Sequence, residues 1–217
     1  MAWPRFQPSG DAAVLVTLAE AIDLAVNARV HTLAARLRAA RLAGLGEAVP
    51  GYATLLVHYD PAELDYPAAE AAVRAAAEAA DALAAAPART VTIPVTYGGA
   101  AGPDLEFVAR HTGLTPEAVV QLHTGRAYRV YLMGFTPGFP YLGELDERLA
   151  VPRLEAPRLR VPAGSVGLAG RQTGIYPLES PGGWRLIGRT SWPLFDPAAA
   201  EPFRLAPGDW VRFTAEA

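Results

Sequence analysis

The chain of 217 residues carries a net charge of −3, is 51% hydrophobic and has no cysteine, and all 19 of its basic residues are arginine. Without cysteine it has no disulfide framework, thiolate metal site or cysteine nucleophile; without lysine it has no Schiff base, P-loop lysine or protein-kinase lysine. The weakly acidic balance offers no positive field for nucleic acid, and the 44 alanines, with arginine in place of lysine, fit the coding bias of a GC-rich genome.

At one domain per roughly 100–200 residues, the length allows one large or two small domains. Met1 to Gly10 is rich in Trp and Pro and lacks the apolar core of an export signal. Ala13 to Leu18 reads as a buried strand behind a turn at Ser9-Gly10-Asp11. Ile22, Val26, Val30, Leu33 and Leu37 then recur at helical spacing, with Arg29, Arg36 and Arg38 off the stripe, and Gly44 and Gly46 are expected to stop the helix. Thr54 to Tyr59 is a second strand, ended by Asp60-Pro61, and Tyr66 to Ala86 an alanine-rich helix. Glu70, Arg74, Glu78 and Asp81 interrupt that tract, so it cannot span a bilayer, and a soluble cytoplasmic protein is expected. Strand, helix, strand, helix predicts a small ferredoxin-like α/β domain over residues 1–86.

Pro87 marks the expected boundary, with a second domain over 87–217. Val91, Ile93 and Val95 alternate with polar positions, and Pro94 implies an edge or a strand start. Asp104 to His111 and Pro116 to His123 read as short helices, the second with Thr115 as N-cap and Pro116 at its first position. Tyr128 to Met133, Trp184 to Ile187 and Trp210 to Phe213 read as strands. Between them Gly and Pro punctuate nearly every segment, which fits a β-barrel or sandwich with functional loops.

Three segments can carry chemistry. Met133 to Gly143 holds Phe135, Phe139, Pro140, Tyr141 and Leu142; a loop this apolar must be buried, line a pocket or meet a partner. In Arg160 to Pro177 small residues allow close backbone approach, either to an anion or within a tight hairpin. Arg160 and Arg171 can make bidentate contacts to carboxylate or phosphate, and Gln172 and Thr173 suit a planar amide. In Glu179 to Thr190, Ser180 lacks the G-x-S-x-G context of a hydrolase nucleophile, and Arg189 is either an oxyanion clamp or a solvated arginine. His31, His58, His111 and His123 show no metal-ligand spacing, so no metal site is expected. His123, at a helix end, is the acid/base candidate, set against a structural hydrogen bond. Glu144 and Asp146 are the nearest carboxylates in sequence to the apolar loop, and their spacing alone does not show a catalytic pair.

Taken in order, Gly134-Phe135-x-Pro137-Gly138-Phe139-Pro140-Tyr141-Leu142-Gly143, Arg160-Val161-Pro162-Ala163-Gly164-Ser165-Val166, Gln172-Thr173-Gly174-Ile175-Tyr176-Pro177, Ser180-Pro181-Gly182-Gly183-Trp184 and Ile187-Gly188-Arg189-Thr190 resemble the family of 5-oxoprolinase B subunits, also called KipI-like or allophanate hydrolase subunit 1. Tyr59-Asp60-Pro61 and Leu122-His123 fit it as well. The resemblance implies a cyclophilin-like β-barrel as the C-terminal domain, and partnership with the A and C subunits of the same enzyme, the latter KipA-like. It implies ATP-dependent opening of the 5-oxoproline lactam to glutamate, with ATP and Mg²⁺ handled by the complex. Phosphorylation of the amide oxygen would make an unstrained lactam electrophilic, and such a site needs cations for phosphate charge and donors for the substrate carboxylate. On this view His123 and Arg189 are the catalytic candidates. Arg160, Gly164, Ser165, Arg171, Gln172, Thr173 and Tyr176 bind substrate in a cleft completed by the KipA-like partner, and Phe135, Phe139, Pro140, Tyr141 and Leu142 meet a partner. KipI-type members resemble the chain as closely and block autophosphorylation of a sensor histidine kinase. A cyclophilin-like prolyl isomerase is a weaker alternative, because function does not follow from fold. The isolated chain is expected to be inactive and can form homo-oligomers through the face meant for the KipA-like partner.

Overall fold

The structure, a computed structural model, describes residues 4–80 and 89–216. The expected boundary at Pro87 and the last residues of the expected second helix, 81–86, lie outside the described residues. The chain divides into two compact units, Met1–Pro87 and Ala88–Ala217.

The first unit contains β1 (Arg5–Pro8), β2 (Ala13–Thr17), α1 (Leu24–Ala40), β3 (Leu45–Pro50), β4 (Thr54–Tyr59) and α2 (Tyr66–Ala80). Its four strands form one sheet in the order β1-β2-β4-β3, every neighbouring pair antiparallel. The element order is ββαββα. A ferredoxin-like unit runs βαββαβ, so here the edge strand beside β2 comes from before the motif rather than after it. Leu55, Val57 and Tyr59 of β4 turn to the helices, and Val30, Leu33 and Leu37 of α1 meet Ala69 and Val73 of α2 in the same core.

The expected stripe on the first helix needs correcting at both ends. Asp23 caps α1, its carboxylate accepting from the Val26 N–H at 2.9 Å. Ile22 therefore precedes the helix and is 52% exposed. The buried face also includes Asn27, whose amide donates to the carbonyls of Gly51 (3.2 Å) and Tyr52 (3.0 Å) and so ties the helix to the turn before β4. The stop is Arg41 in the left-handed region (φ 45°), and Gly44 and Gly46 lie beyond it, Gly46 within β3. A left-handed arginine is strained where glycine is not. Arg41→Gly is expected to raise stability by about 1 kcal/mol, read as a higher urea midpoint.

The second unit contains β5 (Thr90–Tyr97), α3 (Leu105–Thr112), α4 (Pro116–Thr124), β6 (Ala127–Met133), β7 (Pro140–Gly143), a single 3₁₀ turn (Glu147–Leu149), β8 (Arg158–Val161), β9 (Ser165–Ala169), β10 (Gln172–Ile175), β11 (Ser180–Gly182), β12 (Arg185–Arg189) and β13 (Trp210–Glu216). Seven of these strands close a barrel in the order β10-β7-β6-β13-β5-β12-β9, while β8 and β11 form a separate two-stranded ribbon. The barrel is antiparallel except where β13 runs parallel to β5 from Trp210–Thr90 to Glu216–Thr96. The fold is thus mixed α+β, built around a closed barrel.

Alternation fills the barrel: Ile93, Val95, Val130, Leu142, Val166 and Phe213 are among its inward residues. Pro94 marks neither an edge nor a strand start. It sits inside β5, and β12 pairs only with Thr96 and Tyr97, so the β12 side of Pro94 lies beyond that ladder. Thr115 and Pro116 start α4 as their chemistry requires, the Thr115 hydroxyl accepting from the Ala118 N–H. Asp104, at the head of α3, accepts from the Arg158 guanidinium (2.9 Å) and the Leu186 N–H (2.7 Å) and so anchors the β8–β11 ribbon to the barrel.

Candidate functional site

The apolar loop does not lie flat under the barrel. Residues 134–138 carry Phe135 out to 61% exposure at φ 67° and Gly138 at φ 84°. A non-glycine residue held in the left-handed region is uncommon and concentrates at ligand clamps and active sites. Behind it Phe139 is buried, and its ring lies 4.9 Å from Tyr141, 5.2 Å from Tyr176 and 5.5 Å from Trp184, with interplanar angles of 60°, 80° and 90°. Phe135 closes the set edge-on to Phe139 (5.6 Å) and Tyr176 (6.4 Å).

These five rings form one wall of a cleft of about 390 Å³, within the usual size range of small-molecule sites. Arg153, Leu154, Pro157 and the stretch Pro181-Gly182-Gly183 complete it. Glycine at 182 is required by space, since a Cβ there would lie 2.4 Å from the Tyr176 hydroxyl oxygen. Burial raises the pKa of the Tyr141 and Tyr176 hydroxyls, so both rings stay neutral at physiological pH.

The expected site residues divide between this cleft and the barrel wall. Phe135, Phe139, Tyr141 and Tyr176 line the cleft. Pro140 and Leu142, expected at a partner interface, are buried: they lie on β7, and Leu142 pairs with Val130 and Thr173 inside the barrel. The stretch read as a ligand-binding segment is the β9–β10 hairpin, turning at Gly170 (φ 56°) and Arg171. Ser165 and Thr173 are buried in that hairpin, and Gln172 pairs with Ala169, so none of the three lines the cleft. Gly164 approaches backbone of its own chain: its N–H donates to the Tyr176 carbonyl (2.7 Å) and its carbonyl accepts from the Thr190 N–H (2.9 Å).

The expected arginine cluster does not assemble. Arg160 donates twice to Glu179 (2.7 and 2.9 Å), Arg171 pairs with Glu147 (2.9 Å), and Arg189 donates to the Ala163 carbonyl (2.8 Å). All three are exposed and none lines the cleft. The cleft's cation is Arg153 instead, which sequence reasoning passes over because Val151 to Pro157 carries no motif.

His123 is corrected from acid/base candidate to core residue. It is 0% exposed, with its ring stacked on Phe213 at 4.5 Å. Its Nδ1 lies 2.7 Å from the Tyr97 hydroxyl and its Nε2 2.9 Å from the Thr173 hydroxyl. Thr173 gives its one proton to the Gly167 carbonyl (3.1 Å), so it accepts from His123 Nε2–H, and Nδ1 accepts from Tyr97. The neutral ring satisfies every partner, whereas a second proton would have no acceptor. Burial accordingly pushes its pKa down to about 3.

Among the described residues no group of three or more His, Asp or Glu side chains could hold a metal ion, and no helix is long and apolar enough to cross a membrane. The cleft also does not fit a magnesium nucleotide, because no carboxylate lines it and Arg153 is its one cation.

A closed barrel with an aromatic cleft, in a chain with a small helix-covered sheet, describes a class of fold rather than one activity. Residues 4–205 match the family described as carboxyltransferase domain, subdomain C and D. The chain is 49% identical over 208 residues to the 5-oxoprolinase B subunit of Escherichia coli O157:H7, across 95% of this chain and 94% of that protein. With the 5-oxoprolinase B subunit of Bacillus subtilis (strain 168) the identity is 43% over 220 residues, across 96% and 91% of the two chains. The crystal structure of TTHA0988 matches with a TM-score of 0.83 and 43% identity over 94% of this chain, which spans 40% of the TTHA0988 chain. The chain belongs to that carboxyltransferase-domain family and, within it, to the group of proteins named as B subunits of 5-oxoprolinase. These names give no support to the kinase-inhibitor reading.

Proposed function

We propose that the chain is the non-autonomous B subunit of an ATP-dependent 5-oxoprolinase, which opens the lactam of 5-oxoproline to glutamate with hydrolysis of ATP. The observation that carries this reading is near-full-length identity of 49% to a protein of that name. The A and C subunits are its partners, and the cytoplasm its place of work. ATP and Mg²⁺ fall to those partners, since this chain has no lysine and its cleft has no carboxylate. TTHA0988 supports a neighbouring module, because this chain accounts for 40% of that longer one. We read the two compact units as separate domains and the barrel as cyclophilin-like.

Mixing the chain with the A and C subunits is expected to give phosphate release from ATP that depends on 5-oxoproline, while the chain alone gives none. A complete mixture without 5-oxoproline-dependent hydrolysis would overturn the reading. Inhibition of a sensor kinase by this chain alone, in that case, would favour the rival.

A further inference from the structure

The aromatic cleft sets two kinds of recognition chemistry side by side. Phe139, Tyr141, Tyr176 and Trp184 present an uncharged wall of rings at steep mutual angles. Such a wall takes an apolar ring face, and no carboxylate lines the cleft to repel an anion. Arg153, exposed, lines the same cleft. Among the described residues no carboxylate or carbonyl engages its guanidinium. Arg158, Arg160, Arg171, Arg185 and Arg189, by contrast, are each held by Asp104, Glu179, Glu147, the Pro152 carbonyl and the Ala163 carbonyl respectively.

The backbone that carries Arg153 is pinned on both sides. The Val151 carbonyl accepts from the Gly170 N–H (2.7 Å), the Pro152 carbonyl accepts from Arg185 (3.3 Å), and the Leu154 N–H donates to the Gly183 carbonyl (2.7 Å). Arg185 is itself set over the Phe107 ring at 3.6 Å. Main-chain bonds thus hold a cation at the mouth of an apolar cleft and leave its side-chain donors open. A guanidinium in that state is matched by a carboxylate.

We propose that this cleft binds a small ring-bearing carboxylate, its apolar ring face on the Phe139–Tyr176–Trp184 wall and its carboxylate on Arg153. The assignment rests on the B-subunit reading and deepens it, because 5-oxoproline is such a molecule: two ring methylenes form its apolar face, and one carboxylate stands beside the lactam. The exposed Phe135, edge-on to Phe139 and Tyr176, extends that wall outwards. It also reassigns the Phe135–Tyr141 loop from partner docking to substrate recognition.

The test uses the complex assembled with the A and C subunits, with 5-oxoproline as the ligand. Arg153→Ala is expected to raise KM for 5-oxoproline about 10- to 100-fold, the scale of one lost charge-assisted hydrogen bond. kcat should stay within about twofold and KM for ATP should not move. Arg153→Lys should recover part of the loss, since it keeps the charge without the fork. Arg153 is exposed, so the variant should melt with the wild type. An unchanged KM for 5-oxoproline in Arg153→Ala, or a raised KM for ATP in its place, overturns the site and leaves the B-subunit reading intact. A wild-type complex with no response to 5-oxoproline overturns both.

Discussion

Gly164→Ala should destabilise the barrel by about 3 kcal/mol or more and lower its melting temperature by roughly 6–12 °C. The backbone there has φ 81°, and a Cβ would lie 2.0 Å from the carbonyl oxygen of Thr190. That oxygen cannot retreat cheaply. Gly164 bonds to Tyr176 through its N–H and to Thr190 through its carbonyl, so the turn is stitched to its neighbours on both sides. Gly170→Ala is the matching control: it shares a positive φ (56°) but has nothing within 4 Å of its Cβ. Strain without a clash should cost about 1 kcal/mol. Equal melting temperatures for the two variants would show that close approach at Gly164 is not what the glycine serves.

The second large effect belongs to His123. An ordinary histidine titrates near 6.5, and this one, buried, is pushed down to about 3. The unfolded chain therefore takes up a proton that the folded chain refuses. The stability this histidine contributes is complete above pH 6.5 and is lost progressively as pH falls from 6.5 towards 3. Below 6.5 the loss approaches about 1.4 kcal/mol per pH unit. Urea midpoints at pH 7.5 and 5.5 should differ accordingly, and His123→Gln should remove this part of the slope. His123→Ala should cost about 3–5 kcal/mol at pH 7.5 and less as pH falls, through a cavity beside Phe213 and a Tyr97 hydroxyl left without its acceptor. A wild-type slope that survives in His123→Gln would mean another group carries it.

Much of the barrel is legible because its strands are driven by alternation. Val91, Ile93 and Val95 show the period of two plainly, and Thr115-Pro116 announces a helix start by its own chemistry. Two of the strands without a clear signal, β1 and β3, are the edges of the first sheet, where one flank faces no partner. Arg5-Phe6-Gln7-Pro8 and Leu45-Gly46-Glu47-Ala48 hold too few apolar residues to announce a strand. Asn27 hides inside a helical stripe because its value lies in two carbonyls about 25 residues away, which no periodicity records.

The site is half legible for a related reason. Phe135, Phe139 and Tyr141 stand out because an apolar loop has to go somewhere, and Tyr176 because its segment is rich in glycine. Gly164 reads rightly as a place of close approach, but what approaches is the chain's own Thr190 carbonyl. Arg160, Arg171 and Arg189 draw notice by lying in motifs, yet each is claimed by a glutamate or a carbonyl that only the folded chain brings near. Arg153 goes unseen because an arginine between Pro152 and Leu154 has no local signature. What marks it is that no carboxylate or carbonyl among the described residues engages it, and partners are a property of the tertiary fold.

The parallel seam between β5 and β13 sets an order of events during synthesis. The first unit has all its strands within residues 5–59, so it can settle while the rest of the chain is still being made. The barrel cannot. Its seam joins Thr90 to Trp210 and Thr96 to Glu216, separations of about 120 residues, and β13 is also the partner of β6. Until β13 emerges, β5 and β6 each present an open edge to whatever is nearby. Long-range pairing of this kind is slow and exposes apolar strands in the meantime. The nascent second unit is therefore the stage at which this protein most needs a chaperone or a slow ribosome.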